Sequence, residues 1–106
     1  MRIRVLEAGM EIVFEDATLA LIESDVAGET KLPVAVIKAA RRKLTVMRAA
    51  VDDRSLRNWK SLHYEKLKGD REGQRSIRLN DQYRLVFVLN ESDPLTATIL
   101  AIEDYH

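Results

Sequence analysis

Apolar side chains at Ile77, Leu79, Tyr83, Leu85 and Phe87 alternate with polar ones, and Asn80-Asp81-Gln82 separates the two runs with turn-forming residues. This is the pattern of a β-hairpin with one buried face. A three-residue turn sets Leu79 opposite Tyr83 and Ile77 opposite Leu85 on one side, and Arg78 opposite Arg84 on the other. A two-residue turn would pair Ile77 with Arg84 and mix the faces, so burial selects the first register. A second pattern, of helical period, runs over 34–51, where Ile37, Ala40, Leu44, Met47 and Val51 fall at spacings of three and four. Pro33 suits the first turn of that helix because its missing N–H would be unpaired there anyway.

Other segments are shorter. Glu11 to Phe14 reads as an early strand with Ile12 and Phe14 on one face, and Asp16 can cap a short helix through about Ser24 that buries Leu19 and Ile22. Asp25 to Lys31 reads as a polar loop. Asp52-Asp53 breaks the long helix and caps a short turn through Trp59, which is expected to close the core edge with Leu56 and Leu62 rather than stack on a base. Thr96 to Tyr105 is a last strand, with Thr98, Leu100 and Ile102 on one face and Ala97, Ile99 and Ala101 on the other. Apolar residues on both faces mark it as central. The expected fold is α+β: a small, twisted, mainly antiparallel sheet of hairpin, last strand and early strand, with two helices packed on one face.

A chain of 106 residues makes a single domain, assigned here to 10–106, with residues 1–9 an N-terminal extension or an extra strand. It has no cysteine, so neither a disulfide framework nor a thiolate metal site is expected. No apolar run is long enough for a membrane partner, and MRIRVLEAGM lacks the apolar core of a signal peptide, so a cytoplasmic location is expected. The formal net charge of zero hides a segregation: residues 1–35 carry three basic and seven acidic side chains, 36–84 carry fourteen and six, and 85–106 carry none and four. A central block of +8 is what an electropositive face for RNA needs, provided the fold gathers it.

Like charges opposed across a ladder are destabilising, so Arg78 facing Arg84 suggests an anion between or above them, most economically a phosphate. Both arginines point off the core face and are expected to be dispensable for folding. Gly69 and Gly73 let the preceding loop turn sharply and expose Lys68, Arg71 and Arg75. On helix 34–51, Lys38, Arg41, Arg42 and Arg48 lie off the apolar stripe and face solvent or a partner.

The stretch LKGDREGQRSIRLNDQYRLVF at 67–87, preceded by SLHYEKL and followed by a chain end reading IEDYH, resembles the RelE superfamily of bacterial toxins in its HigB branch, the plasmid-maintenance killer proteins. The resemblance covers roughly residues 10 to 106. It implies a ribosome-dependent, metal-independent endoribonuclease that cuts mRNA, needs no cofactor, and is silenced by a HigA-like helix-turn-helix antitoxin, with DNA contacted only through the antitoxin complex. It also implies that the helices come first and that the open face of the sheet forms the active-site cleft. A histidine precedes LKGD in these toxins; here His63 stands two residues further away than in the form HPLKGD. Lys68 matches by register, and Lys66 takes its role if the loop is bulged.

RNA cleavage by transesterification needs a base for the 2′-hydroxyl, an acid for the departing 5′-oxygen and positive charge for the phosphate. Lys68, Arg78 and Arg84 are the candidate charge clamp, Asp104, Tyr105, His106 and His63 the proton-transfer candidates, and Lys66, Arg71 and Arg75 the further RNA contacts. The terminal carboxylate beside the His106 imidazole favours its protonated form. Competing constellations are weaker: neither H-x₃-H nor HExxH spacing occurs, and Ser61 or Ser76 lacks a nucleophile-elbow motif. A non-catalytic module of the same fold, binding an antitoxin or RNA, is the alternative, and toxicity on expression separates the two. If the last strand stays regular, Asp104 and His106 share one face and Tyr105 takes the other. A curl after Glu103 that gathers all three is therefore expected.

Overall fold

A computed structural model describes residues 9–91 and 94–105. The expected N-terminal extension, apart from Gly9, lies outside the described residues, and so does His106. Strand β1 (Glu11–Phe14) leads through 3-10 turns at Leu19–Glu23 and Ala27–Thr30 to helix α1 (Val34–Ala49) and the short α2 (Asp53–Asn58). A 3-10 turn at Lys60–Leu62 precedes β2 (Glu65–Lys66), another at Gly69–Arg71 precedes β3 (Gln74–Arg78), and β4 (Tyr83–Asn90) and β5 (Thr96–Asp104) follow. The five strands form one sheet in the order β1-β5-β4-β3-β2, antiparallel except where β1 runs parallel to β5.

Local chemistry sets the helical segments. The Pro33 carbonyl accepts from the amides of Val36 and Ile37, both at 3.0 Å, and α1 then buries Val36, Ile37, Ala39, Ala40, Leu44 and Met47. The helix ends at Ala49 and Ala50 is extended, so Val51 leaves the stripe and is 56% exposed, against its expected place in the core. Asp52 caps α2 by accepting from the Ser55 amide at 2.9 Å. Trp59 is the other departure. Extended backbone at this residue breaks the helical spacing that would align it with Leu56 and Leu62, and it stands 50% exposed while those two are buried. The early helix is a 3-10 turn because the Asp16 carboxylate accepts from the amides of Thr18 and Leu19, forming an Asx turn at its start; Leu19 and Ile22 are buried as expected. The 25–31 loop contains a further 3-10 turn with Ala27 buried.

The hairpin has the register that burial requires: Ile77 pairs with Leu85, Arg78 with Arg84, and the Leu79 amide donates to the Tyr83 carbonyl at 2.9 Å. The Asn80 side-chain oxygen accepts from the amides of Gln82 and Tyr83, which holds the turn. Ile77, Leu85, Phe87 and Ile99 are fully buried in one cluster with Ile22, Leu44, Met47, Leu56 and Leu62, each contributing about 2 kcal/mol by removal from water.

The last strand departs from simple alternation. Phe87 pairs with Ile99 but Val86 pairs with Ala101, so Leu100 is an extra residue in a β-bulge. Before it, Ala97 and Ile99 face the core; after it, Ile102 does so opposite Leu85. The expected grouping of Leu100 with Thr98 and Ile102 is therefore wrong. The bulge turns Ala101, Glu103 and Tyr105 onto the outer face, where Arg84 lies.

Candidate active site

Arg84 is the centre of the outer face and is only 8% exposed. Its Nε donates to Ser76 Oγ at 2.9 Å, and its Nη2 donates to the His63 carbonyl at 2.5 Å, with Glu65 Oε1 3.8 Å from the same nitrogen. The Tyr105 ring covers it at 5.0 Å from guanidinium carbon to centroid, a cation–π contact. No hydrogen-bond acceptor for Nη1 is found among the described residues. The expectation that this arginine is dispensable for folding is thus corrected: it points off the core face, yet it ties β4 to β3 and to the turn before β2.

That turn is unusual. His63 has φ +48°, left-handed for a residue with a Cβ, which costs on the order of 1 kcal/mol and aims its carbonyl at Arg84. The contribution of His63 to the arginine is through its backbone, and the residue is exposed. The next residue, Tyr64, turns toward the helices. Its ring stacks on Phe87 with centroids 6.4 Å apart, and its hydroxyl donates to Asp53, a buried carboxylate that also accepts from Arg57 Nε at 3.0 Å. Burial, and then this hydrogen bond to Asp53, raise the Tyr64 phenol well above its ordinary value.

Arg78 and Arg84 face each other across the ladder and line one cleft, of about 190 Å³, with Asn80, Asp81 and Tyr105. Arg78 donates through Nε to the Asn80 carbonyl at 3.3 Å and through Nη2 to the exposed Asp81 carboxylate. Arg84 and Tyr105 also wall a second cleft of about 220 Å³ with Leu67, Arg71, Ser76, Val86, Glu103 and Asp104. Positive charge continues past the hairpin tip: Lys43 of α1 is held below its ordinary value by partial burial and by Arg42 and Arg78. Among the helix cations expected to face solvent, Arg41 donates to the carbonyls of Ile22 and Ser24, and Arg48 is paired with Glu23 at 2.6 Å; Lys38 and Arg42 are exposed.

The basic loop is distributed differently from expectation. Lys66 and Lys68 are exposed and line a separate cleft with Leu67, Glu72, Gly73, Gln74 and Arg75, outside the cleft of the two arginines. Arg75 is only partly presented to solvent: it shares the Ile77 side of β3, its side chain is 17% exposed, and its Nε lies 3.9 Å from Asp53. Arg71 is tied down as well, donating to both Glu103 oxygens at 3.0 and 2.6 Å. The Glu103 carboxylate accordingly raises the Arg71 pKa.

At the chain end the expected curl does not follow Glu103. Asp104 still pairs with Tyr83, and the Tyr105 amide donates to the Gln82 carbonyl at 2.5 Å, so hydrogen bonding to the hairpin holds the pleat. Tyr105 joins Arg84 on the outer face, while Asp104 lies on the alternate side of the strand, accepts from Gln82 Nε2 at 2.8 Å and reaches the edge of the second cleft. His106 lies outside the described residues. Sequence reasoning missed Ser76, Glu65, Asp53 and Tyr64. Only Ser76 carried a signal, since it alternates with Ile77 and so had to share the face of the arginines.

Three solved structures define the class of fold. A mutant of YafQ from E. coli superposes with a TM-score of 0.61 at 9% identity, covering 91% of this chain and 93% of that one. The YoeB-YefM complex from Staphylococcus aureus gives 0.59 at 21% identity over 92% and 97%, and the YoeB/ParE toxin from Agrobacterium tumefaciens gives 0.58 at 15% over 92% and 100%. Sequence narrows the class further. The family model for the RelE-like toxin of the type II toxin-antitoxin system HigB matches residues 13–106. Toxin HigB-1 of Vibrio cholerae serotype O1 is 35% identical over 78 residues, 74% of this chain and 82% of that protein. The chain belongs to the HigB family of RelE-like toxins of type II toxin-antitoxin systems.

Proposed function

We propose that this protein inhibits translation as a ribosome-dependent mRNA endonuclease that works by metal-independent transesterification at the outer-face cleft. The observation that carries the reading is Arg84 itself: a buried guanidinium, fixed by two hydrogen bonds, whose Nη1 has no acceptor among the described residues, beside a facing arginine in the same cleft. A fixed cation in a partly water-excluded site stabilises a phosphate as it gains charge, and it needs no reorganisation to do so. In the reaction the 2′-oxygen attacks phosphorus, its proton passes to a protein base, and the 5′-oxygen leaves with a proton from a protein acid. Arg78 and Arg84 hold the phosphate. Tyr105, His106, Asp104, His63 and Lys68 are the proton-transfer candidates, and the Tyr105 ring lies over Arg84 in the cleft.

Family membership supports a dedicated antitoxin, here of the HigA-like helix-turn-helix kind, which neutralises by occlusion or by excluding the toxin from the ribosome and through which alone the pair contacts DNA. A single toxin domain over 10–106 acting in the cytoplasm completes the reading. The test is cleavage of an mRNA on purified, programmed ribosomes. Products ending in a 2′,3′-cyclic phosphate or its hydrolysed form are expected. Intact mRNA, with tight antitoxin binding retained, would favour the non-catalytic binding module.

A further inference from the structure

Glu103 creates a conflict on the outer face. It is the cross-strand partner of Arg84 on β5, and directly opposed side chains have Cβ atoms about 4.5–5.5 Å apart. Its carboxylate is therefore tethered within reach of the cleft. Among the other carboxylates nearby, Asp81 is taken by Arg78 and Asp104 accepts from Gln82, while Glu65 sits 3.8 Å from Nη2, the nitrogen already bonded to the His63 carbonyl. Glu103 approaches from the opposite strand and would otherwise be free to neutralise Arg84, whose Nη1 has no acceptor among the described residues.

It does not do so, because both its oxygens are taken by Arg71 at 3.0 and 2.6 Å. Arg71 is not on a neighbouring strand. It reaches across from the loop joining β2 to β3, a loop bent at Gly69 and Gly73 with φ +72° and +93°, and its Nε is itself aimed by Gln74 Oε1 at 3.2 Å. A bidentate guanidinium–carboxylate pair of this kind holds the carboxylate in one orientation.

We propose that Arg71 is a positioning residue for the phosphate site: it holds the Glu103 carboxylate away from Arg84, so that an RNA phosphate rather than the protein's own side chain pairs with Arg84. The inference rests on the reading of this cleft as the phosphate site. It differs sharply from a simple strap role for the Arg71–Glu103 pair. If the pair only fastened the loop, removing either partner would do equal harm. If Arg71 sequesters Glu103, the harm comes from an unguarded carboxylate, and removing that carboxylate repairs it.

The test compares wild type, Arg71→Gln, Glu103→Gln and the double variant. Inorganic phosphate is titrated into each while the Arg84 Nε–Hε resonance is followed by NMR. Arg71→Gln is expected to weaken phosphate binding about ten-fold, the size of one added like-signed competitor at a partly screened site. Glu103→Gln should bind at least as well as wild type, and the double variant should recover. Equal loss in both single variants without recovery in the double, or no phosphate response in wild type, overturns the inference. The same four proteins are then assayed for mRNA cleavage on ribosomes, where the same order is expected. Absent cleavage by wild type with the phosphate pattern intact would remove the nuclease reading alone.

Discussion

Asp53 and Arg84 are both more than nine-tenths buried, on opposite sides of the same sheet, and the fold treats them differently. Asp53, on the helix side, is closed: Tyr64 donates to one oxygen, Arg57 to the other, and Arg75 stands 3.9 Å away. Arg84, on the outer side, is held at Nε and Nη2, and its Nη1 meets no acceptor among the described residues. One short stretch serves both, since the His63 carbonyl meets Arg84 and the Tyr64 hydroxyl meets Asp53. A buried charge with each polar atom met by the protein is architecture. Arg84, fixed at two nitrogens and opening with a facing arginine onto a cleft, is placed to meet something from outside.

That contrast breaks first at Arg84. Arg84→Ala should lower mRNA cleavage on the order of 10²–10³-fold, as for one lost donor to a developing charge, and should also lower the melting temperature. Arg84→Lys should restore little of either, because one ammonium cannot serve Ser76, His63 and a phosphate in the fixed geometry of the guanidinium. Unchanged cleavage by folded Arg84→Ala protein would take the site elsewhere.

Removing Tyr105 and His106 comes next. Cleavage should drop on the order of 10²–10⁴-fold, the range for one proton-transfer group, with about 1 kcal/mol of stability lost through the Tyr105 amide and the ring over Arg84. Near-normal cleavage would shift proton transfer to His63 and Lys68. At the architectural site the effect reverses: Asp53→Ala should cost about 3 kcal/mol in denaturant unfolding, because the largely buried Arg75 loses its counter-charge and Tyr64 its acceptor, while cleavage per folded molecule is kept. A specific loss of rate without loss of stability would show that the two regions are not separate in function.

The smallest effect is expected from Tyr64→Phe, about 1–2 kcal/mol at neutral pH. Its pH dependence carries the sharper information. Because burial and Asp53 raise the phenol's folded pKa, the neutral form is the one that the fold stabilises. That contribution is complete below the unfolded value near 10 and fades as pH rises through the folded value. Unfolding free energies measured as pH rises above about 10 should thus converge for wild type and variant; a constant gap would mean that Tyr64 stays free to ionise.

Much of this was legible in the residues. The hairpin register follows from Ile77 and Leu85, since the alternative would bury arginine against isoleucine in the core. Helix α1 follows from its stripe. Arg75 was legible too, because it stands two residues from Ile77 and must share its face, but the charge of the loop outweighed the alternation. The bulge at Leu100 was not, since TATILAIED is apolar on both faces and either parity satisfies burial. With that parity went the placement of Tyr105. The burial of Arg84 was equally hidden: it depends on the left-handed turn at His63, twenty-one residues earlier in the chain, and local pattern does not report which distant carbonyl will meet a side chain.

Arg75 and Arg78 lie three residues apart on β3, one turned to Asp53 and the other to Arg84, and they offer the most direct test of the central claim. Cleavage of mRNA on programmed ribosomes should be measured for Arg75→Ala and Arg78→Ala at matched folded fraction. The outer-face account predicts a loss on the order of 10²-fold for Arg78→Ala and near-normal cleavage per folded molecule for Arg75→Ala. Equal losses in the two variants, or a loss confined to Arg75→Ala, would contradict it.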